Sequence, residues 1–295
     1  MALLQNSHPT GTAPEAGHYQ DTIDHLDHAI STNNSLLCVG LDPDLKKIPP
    51  VFLKDELPLF RFNREIIDAT AAEVCAFKPQ VAYYSACGRE AELELTIEYI
   101  RSTYPHILII LDAKRGDIGS TADMYAREAF VRYRVDALTV NPHMGFDTIE
   151  PYQEWPGKGV IILCKTSNPG SGFLQDLHVD GEPIFERVAR QAAALWQDNR
   201  NIMLVVGATY PEQLKKVREI AGEMTFLVPG VGHQGADVEQ VVKHGLNSNK
   251  GGLIINSSRG VIYAETGEDF QQAAAAEAKR IKEEINRYRQ TQQKI

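Results

Sequence analysis

Hydrophobic and polar positions along this chain follow two alternating patterns. Short β-rich apolar runs stand at 36–41, 74–77, 107–111, 137–140, 160–164, 202–206, 226–228 and 253–255. Stretches with helical spacing separate most of them, at 61–73, 89–103, 120–133, 184–197, 211–221 and 236–244. The fourth crossover, around 146–152, is short and weakly patterned. Before the first run, Tyr19, Ile23, Leu26 and Ile30 recur at helical spacing and predict one amphipathic helix. After the last run, Phe270, Ala274, Ala278, Ile281, Ile285 and Tyr288 mark one face of a long helix over 268–289.

Continuous apolar runs read as strands buried on both faces, and β-α alternation implies right-handed crossovers and a parallel sheet. Eight repeats favour closure, so the expected fold is α/β, a single (β/α)8 TIM barrel with an N-terminal extra helix and a long C-terminal helix. An open doubly wound sheet is the alternative, but no G-x-G-x-x-G opens the first helix. The extra helices are expected to close the barrel bottom or to add to an interface. Residues 1–17 read as a flexible leader and 18–295 as the barrel domain. The segment 166–183 is rich in Gly, Ser and Asp, and at that length reads as an active-site lid.

Composition narrows the function. A net charge of −9 over 295 residues attracts neither nucleic acid nor an anionic membrane, so an anionic ligand requires a local positive cluster. Arg132 and Arg134 flank Tyr133 without a wider basic stripe, which gives nucleic-acid binding little support. No run reaches the roughly 18 apolar residues of a membrane span, and the first residues lack a signal-peptide pattern. Cys38, Cys75, Cys87 and Cys164 form no C-x-x-C pair, which suits free thiols in a cytoplasmic protein. His25 and His28, with Asp24 and Asp27 beside them, have a spacing that could suit a metal, yet a solvated helix face is the expected reading.

In a barrel of this kind the C-terminal strand ends carry the chemistry. They hold in turn Asp42, Lys78, then Asp112, Lys114 and Asp117 within LDAKRGDIGST, then Asn141-Pro142-His143, Lys165 through Gly170, Gly207, the PGVGHQG segment and the NSSRG segment. Loops after the last two strands commonly bind phosphate. There Gly230, Gly232 and Gly235 let backbone N–H groups approach an anion, Gln234 adds a neutral donor, and Arg259 offers two parallel hydrogen bonds. The alternative is that the glycines only make tight turns. Asp112 and Lys114, two apart, are expected on one face of the third strand, with Asp117 following before a helix that Ser120 or Thr121 could cap. With Lys78 from the neighbouring strand, two carboxylates and two ammonium groups would share one partly dry site. An ion-pair network that only braces the barrel mouth is the competing reading, but buried ion pairs are a poor means to stability and more often mark chemistry.

The run Asp112-Ala113-Lys114-Arg115-Gly116-Asp117-Ile118 resembles the D-x-K-x-x-D signature of the orotidine 5'-phosphate decarboxylase family. VGLDPD, AFKPQ, TSNPGSG, PGVGHQG and NSSRG resemble further family segments in the same order, from about Leu36 to Gly260. The D-x-K-x-x-D pattern belongs to a wider suprafamily, which Lys78 and the DAKRGDI form narrow to the decarboxylase, in its longer bacterial and archaeal subgroup. The resemblance implies conversion of orotidine monophosphate (OMP) to UMP and CO2 without metal or other cofactor, by a homodimer. It implies that Lys78, Asp112, Lys114 and Asp117 are catalytic, with Lys114 protonating C6. Asp42 and Lys78 would bind ribose hydroxyls, Ser167 would face the pyrimidine, and Gln234 and Arg259, with Gly230, Gly232 and Gly260, would hold the phosphate. Asp117 and Thr121 would reach into the partner's site. Two rivals stand beside this. A magnesium-dependent sugar-phosphate lyase of the same suprafamily typically carries an acidic residue where Lys78 stands. A non-catalytic barrel that binds a phosphorylated metabolite would have lost Asp112, Lys114 or Asp117.

Overall fold

The structure is a computed structural model that describes residues 19–231 and 237–291. Eight strands form its centre: β1 (Leu37–Leu41), β2 (Ala76–Pro79), β3 (Leu108–Arg115), β4 (Ala137–Val140), β5 (Gly159–Lys165), β6 (Ile202–Val206), β7 (Phe226–Pro229) and β8 (Leu253–Ser257). All pair in parallel, each with its neighbour in sequence, and β1 closes the barrel onto β8 through Leu37 opposite Ile255. The apolar runs are buried, Leu163 alone in part, because one face fills the barrel and the other meets the helical ring. The expected barrel is therefore the observed one.

The ring shows where periodicity reads well. Helices Pro58–Thr70, Glu90–Thr103, Ile184–Trp196 and Pro211–Ala221 stand where the pattern places them, two of them opened by a proline at the first helical position. The weak fourth crossover is a 3-10 turn, Phe146–Thr148, followed by the single helical turn Glu150–Gln153. The last helix, Phe270–Thr291, buries Phe270, Ala274, Ala278, Ile281 and Ile285 between helices Pro58–Thr70 and Val238–Gly245. It thus completes the outer ring rather than the barrel bottom.

Several expectations change. The first helix begins at Thr22, so Tyr19 lies ahead of it, with its ring stacked 4.1 Å from that of His25. Helix 120–133 is divided into an α-helix, Gly119–Arg127, and a π-turn, Glu128–Arg132, in which Tyr133 N–H donates to Glu128 O. Neither Ser120 nor Thr121 caps this helix; Ile118 occupies the cap position, and its apolar side chain makes no cap bond. The 166–183 segment holds a helical turn, Gly172–Gln175, and a two-stranded hairpin between His178–Val179 and Glu182–Pro183. The leader 1–17 lies outside the described residues. Among the described residues no helix is long and apolar enough to cross a membrane.

His25 is a further correction. It lies on the buried face of helix Thr22–Asn33, where Thr22 Oγ1 donates to the carbonyls of Asp136 and Gly157 at the N-terminal end of the barrel. His25 Nε2 pairs with Pro105 O at 3.1 Å and Nδ1 lies 3.8 Å from Asp136. Burial lowers its pKa below the ordinary 6.5, and Asp136 offsets this only in part. The unfolded chain therefore takes up this proton at higher pH than the folded one, so the contribution to stability is full above 6.5 and is lost as pH falls. The urea midpoint should drop between about pH 7.5 and pH 5.5, and His25→Gln should reduce that drop.

Candidate active site

The C-terminal ends of the strands bring three charged groups into one chain of contacts. Lys78 lies within β2 and is only 4% exposed. Its Nζ donates to Asp112 Oδ2 at 2.9 Å, and Lys114 Nζ donates to Asp112 Oδ1 at 2.6 Å. Burial opposes ionisation of Asp112, but the two lysines outweigh it and hold the carboxyl well below the usual carboxylate range. Burial likewise opposes the Lys78 charge, and Asp112 and Asp42 outweigh it, raising its pKa above the ordinary lysine value. The carboxylate and the ammonium are thus both charged across the physiological range.

Strict strand alternation does not place Lys114. The register of β3 against β4 shifts between Leu111 and Arg115, and Lys114 adopts a left-handed φ of 48°. Thr139 on β4 sustains this bulge: its Oγ1 accepts from the N–H groups of Ala113 and Lys114 at 3.0 and 2.9 Å, and donates to Asp112 Oδ1 at 3.0 Å. A non-glycine residue at positive φ persists only where its surroundings hold it, and here those surroundings aim Lys114 at Asp112. Sequence reasoning missed Thr139; the signal was one polar residue in the apolar run ALTV.

A cleft of about 180 Å³ opens over Lys78 and Asp112, while Lys114, 47% exposed, does not line it. Asp42, Lys78, Asp112, Ser167, Gly230 and Arg259 line it, together with Asn256 and Ser258, which the sequence reading did not single out. Asp42 Oδ1 and Asn256 Oδ1 are buried and have no protein partner among the described residues. Burial raises the Asp42 carboxyl, and Lys78 only partly opposes this. Tyr263 fixes the loop around Asp42 by donating to Asp42 O at 3.1 Å and accepting from Asp44 N–H at 2.7 Å. On the far side of the cleft Gly230 takes a φ of 99°, and Arg259 opens the short helix Arg259–Ile262 without an ion pair among the described residues.

Close backbone packing shapes the walls. A Cβ on Gly40 would lie 1.8 Å from Ser258 Oγ, and one on Gly207 would lie 2.7 Å from Ser167 N. Both glycines let a cleft residue approach. Gly260 lies beside Arg259 in the helix but does not line the cleft. Gly232, Gln234 and Gly235 lie outside the described residues.

Asp117 and Thr121 stand apart. Asp117 Oδ1 accepts the Ile118 N–H at 2.8 Å, and neither residue lines the cleft of its own chain. Beside them Ile118 and Met124 are 58% and 63% exposed and present apolar surface around Asp117 and Thr121.

A parallel barrel with an ion-paired lysine–aspartate–lysine chain and unpartnered acceptors at its C-terminal mouth is the architecture of a (β/α)8-barrel enzyme. Comparison with known proteins makes the assignment specific. The sequence matches the orotidine 5'-phosphate decarboxylase / HUMPS family over residues 35–276, and the chain belongs to that family. It is 54% identical over 266 residues to the orotidine 5'-phosphate decarboxylase of Cellvibrio japonicus, covering 90% of this chain and 97% of the relative. It is 52% identical to that of Cupriavidus metallidurans, with 90% and 98% covered. The solved structure of Leishmania donovani OMP decarboxylase superposes with a TM-score of 0.80 at 37% identity, covering 92% of this chain and all of that one.

Proposed function

We propose that this protein decarboxylates orotidine 5'-monophosphate to UMP in de novo pyrimidine biosynthesis. The observation that carries the reading is the Lys78–Asp112–Lys114 chain, whose Lys78 and Asp112 line the cleft and whose Lys114 bonds to Asp112 at its edge, in a sequence whose relatives bear that activity in their names. The C6–carboxyl bond breaks, CO2 departs, and the electron pair stays on C6 as a vinyl carbanion with no ready electron sink. Catalysis must then stabilise that carbanion more than the bound substrate. Lys114 places a cation at the developing charge and delivers the proton that C6 takes up. Asp112 holds Lys114 in place and lies next to the departing carboxylate.

The remaining groups bind. Asp42 and Lys78 take the ribose hydroxyls, a role that suits the unpartnered Asp42 oxygen. Ser167 faces the pyrimidine. Arg259 and the Gly230 backbone, with Gly232, Gln234 and Gly260, hold the phosphate. Phosphate binding far from C6 helps by closing the 166–183 loop and excluding water. The active unit is a homodimer in which Asp117 and Thr121 enter the partner's site, a role that suits their absence from the cleft of their own chain and the exposed Ile118 and Met124. The protein works in the cytoplasm, which suits its four free cysteines.

Lys78 also separates this reading from the magnesium-dependent one, because an ammonium 2.9 Å from Asp112 repels a divalent cation there. The deciding assay is turnover of orotidine monophosphate by purified protein in excess EDTA, followed by loss of substrate ultraviolet absorbance and by formation of UMP. Rapid turnover is expected. A folded protein that turns over only sugar phosphates, and only with magnesium, would establish the rival.

A further inference from the structure

Lys165 ends β5 with its side chain directed into the barrel wall. It is 1% exposed. Its Nζ donates to Asp176 Oδ1 at 2.6 Å and to Ser171 Oγ at 3.2 Å, and lies 4.9 Å from the centre of the Tyr210 ring. Three segments meet on this one charge: β5, the turn that continues through Gly172–Gln175, and the entry to helix Pro211–Ala221. The neighbouring residues accommodate the arrangement. A Cβ on Gly172 would lie 2.8 Å from the second Asp176 oxygen, and Gly207 N–H donates to Lys165 O at 2.7 Å.

Lys165 does not line the cleft, but Ser167, two residues on, does. Between them the loop is clasped at its base. Gln175 Oε1 accepts the Thr166 N–H at 2.9 Å, and Thr209 Oγ1 donates to Ser167 O at 3.4 Å. The clasp and the ion pair together form a short closed ring of contacts, from Lys165 through the turn to Asp176 and Gln175 and back to Thr166. Ser167 emerges from that ring with its backbone against Gly207.

Stability alone does not explain a buried ammonium here. Asp176 is 45% exposed, and a pair with one solvated partner adds little stability by itself, whereas removing that partner leaves the buried ammonium uncompensated. What the pair supplies is a fixed geometry for a glycine- and serine-rich segment that has few apolar contacts of its own. We propose that the pair formed by the buried Lys165 and the half-exposed Asp176 is a positioning device for the cleft, holding the loop after β5 so that Ser167 stands in register with the substrate. This rests on the functional reading above for the identity of the substrate, but not for the mechanical role of the pair.

The test uses the full-length protein as Lys165→Met, Asp176→Asn and the double variant. Four quantities are read: the thermal midpoint, hydrogen exchange of amides 166–176 without ligand, and kcat and KM for orotidine monophosphate. Asp176→Asn is expected to lose the most stability, because it strands the lysine. The double variant is expected to recover the thermal midpoint while amides 166–176 exchange rapidly and KM stays raised by about tenfold or more. A double variant with restored midpoint, wild-type exchange and wild-type KM would overturn the proposal and leave the pair a brace of the fold. If the wild type does not turn over orotidine monophosphate, the substrate reading fails, and the exchange measurement still decides the role of the pair.

Discussion

Lys114→Ala should lower kcat for orotidine monophosphate by at least about a thousandfold, since on the proposed mechanism it removes both the proton donor and the cation facing the carbanion. These two contributions act at the same atom and do not simply add. Stability should change little. Nearly half of the Lys114 side chain is exposed, and Asp112 keeps its bonds to the buried Lys78 and to Thr139. A thermal midpoint within about 3 °C of wild type is expected alongside the loss of turnover. Lys114→Arg should not restore the rate, because a guanidinium keeps its proton at any working pH. Full activity in Lys114→Ala would remove Lys114 from the proton-donor role.

The second large effect is a recovery. Lys114→Ala and Asp117→Asn should each be nearly inactive alone. Mixed one to one and allowed to exchange subunits, they should regain about one quarter of wild-type activity, because half of the dimers are hybrids and each hybrid rebuilds one of its two sites. The rebuilt site takes Lys114 from one protomer and Asp117 from the other. The geometry behind this is the separation of Asp117 from its own cleft and the apolar surface of Ile118 and Met124 beside it. Mixing without any gain, in protein that sedimentation shows to be dimeric and exchanging, would return Asp117 to the site of its own chain or remove it from catalysis.

Both predictions concern residues that one local motif identifies, and the contrast with what the motif does not reveal is physical. Within D-x-K-x-x-D, Asp112 and Lys114 meet as expected, but through a bulge and a positive φ rather than through regular alternation. The bulge is held by Thr139, from a strand whose sequence carries no catalytic signature. Asn256 and Ser258 read as polar residues at a strand end and became cleft residues only once Gly40 allowed Ser258 to approach. His25 looked solvent-facing because its own helix places charged residues beside it, whereas Asp136 and Pro105, far along the chain, decide its burial.

The eight-fold β-α alternation, the closed parallel barrel and the identity of the charged groups at its mouth were all legible in the residue pattern. These depend on hydrophobic period and on spacing within a few residues, and such information is local. Which groups pair, which oxygens stay unpartnered, where Asp117 stands relative to its own cleft, and the burial of the Lys165 ammonium beside a half-exposed Asp176 emerge only once the barrel has folded. Those outcomes depend on contacts between strand ends and loops whose order around the barrel exists only after closure, when burial favours a partner for Asp112 and Lys165 yet leaves Asp42 Oδ1 and Asn256 Oδ1 open at the cleft.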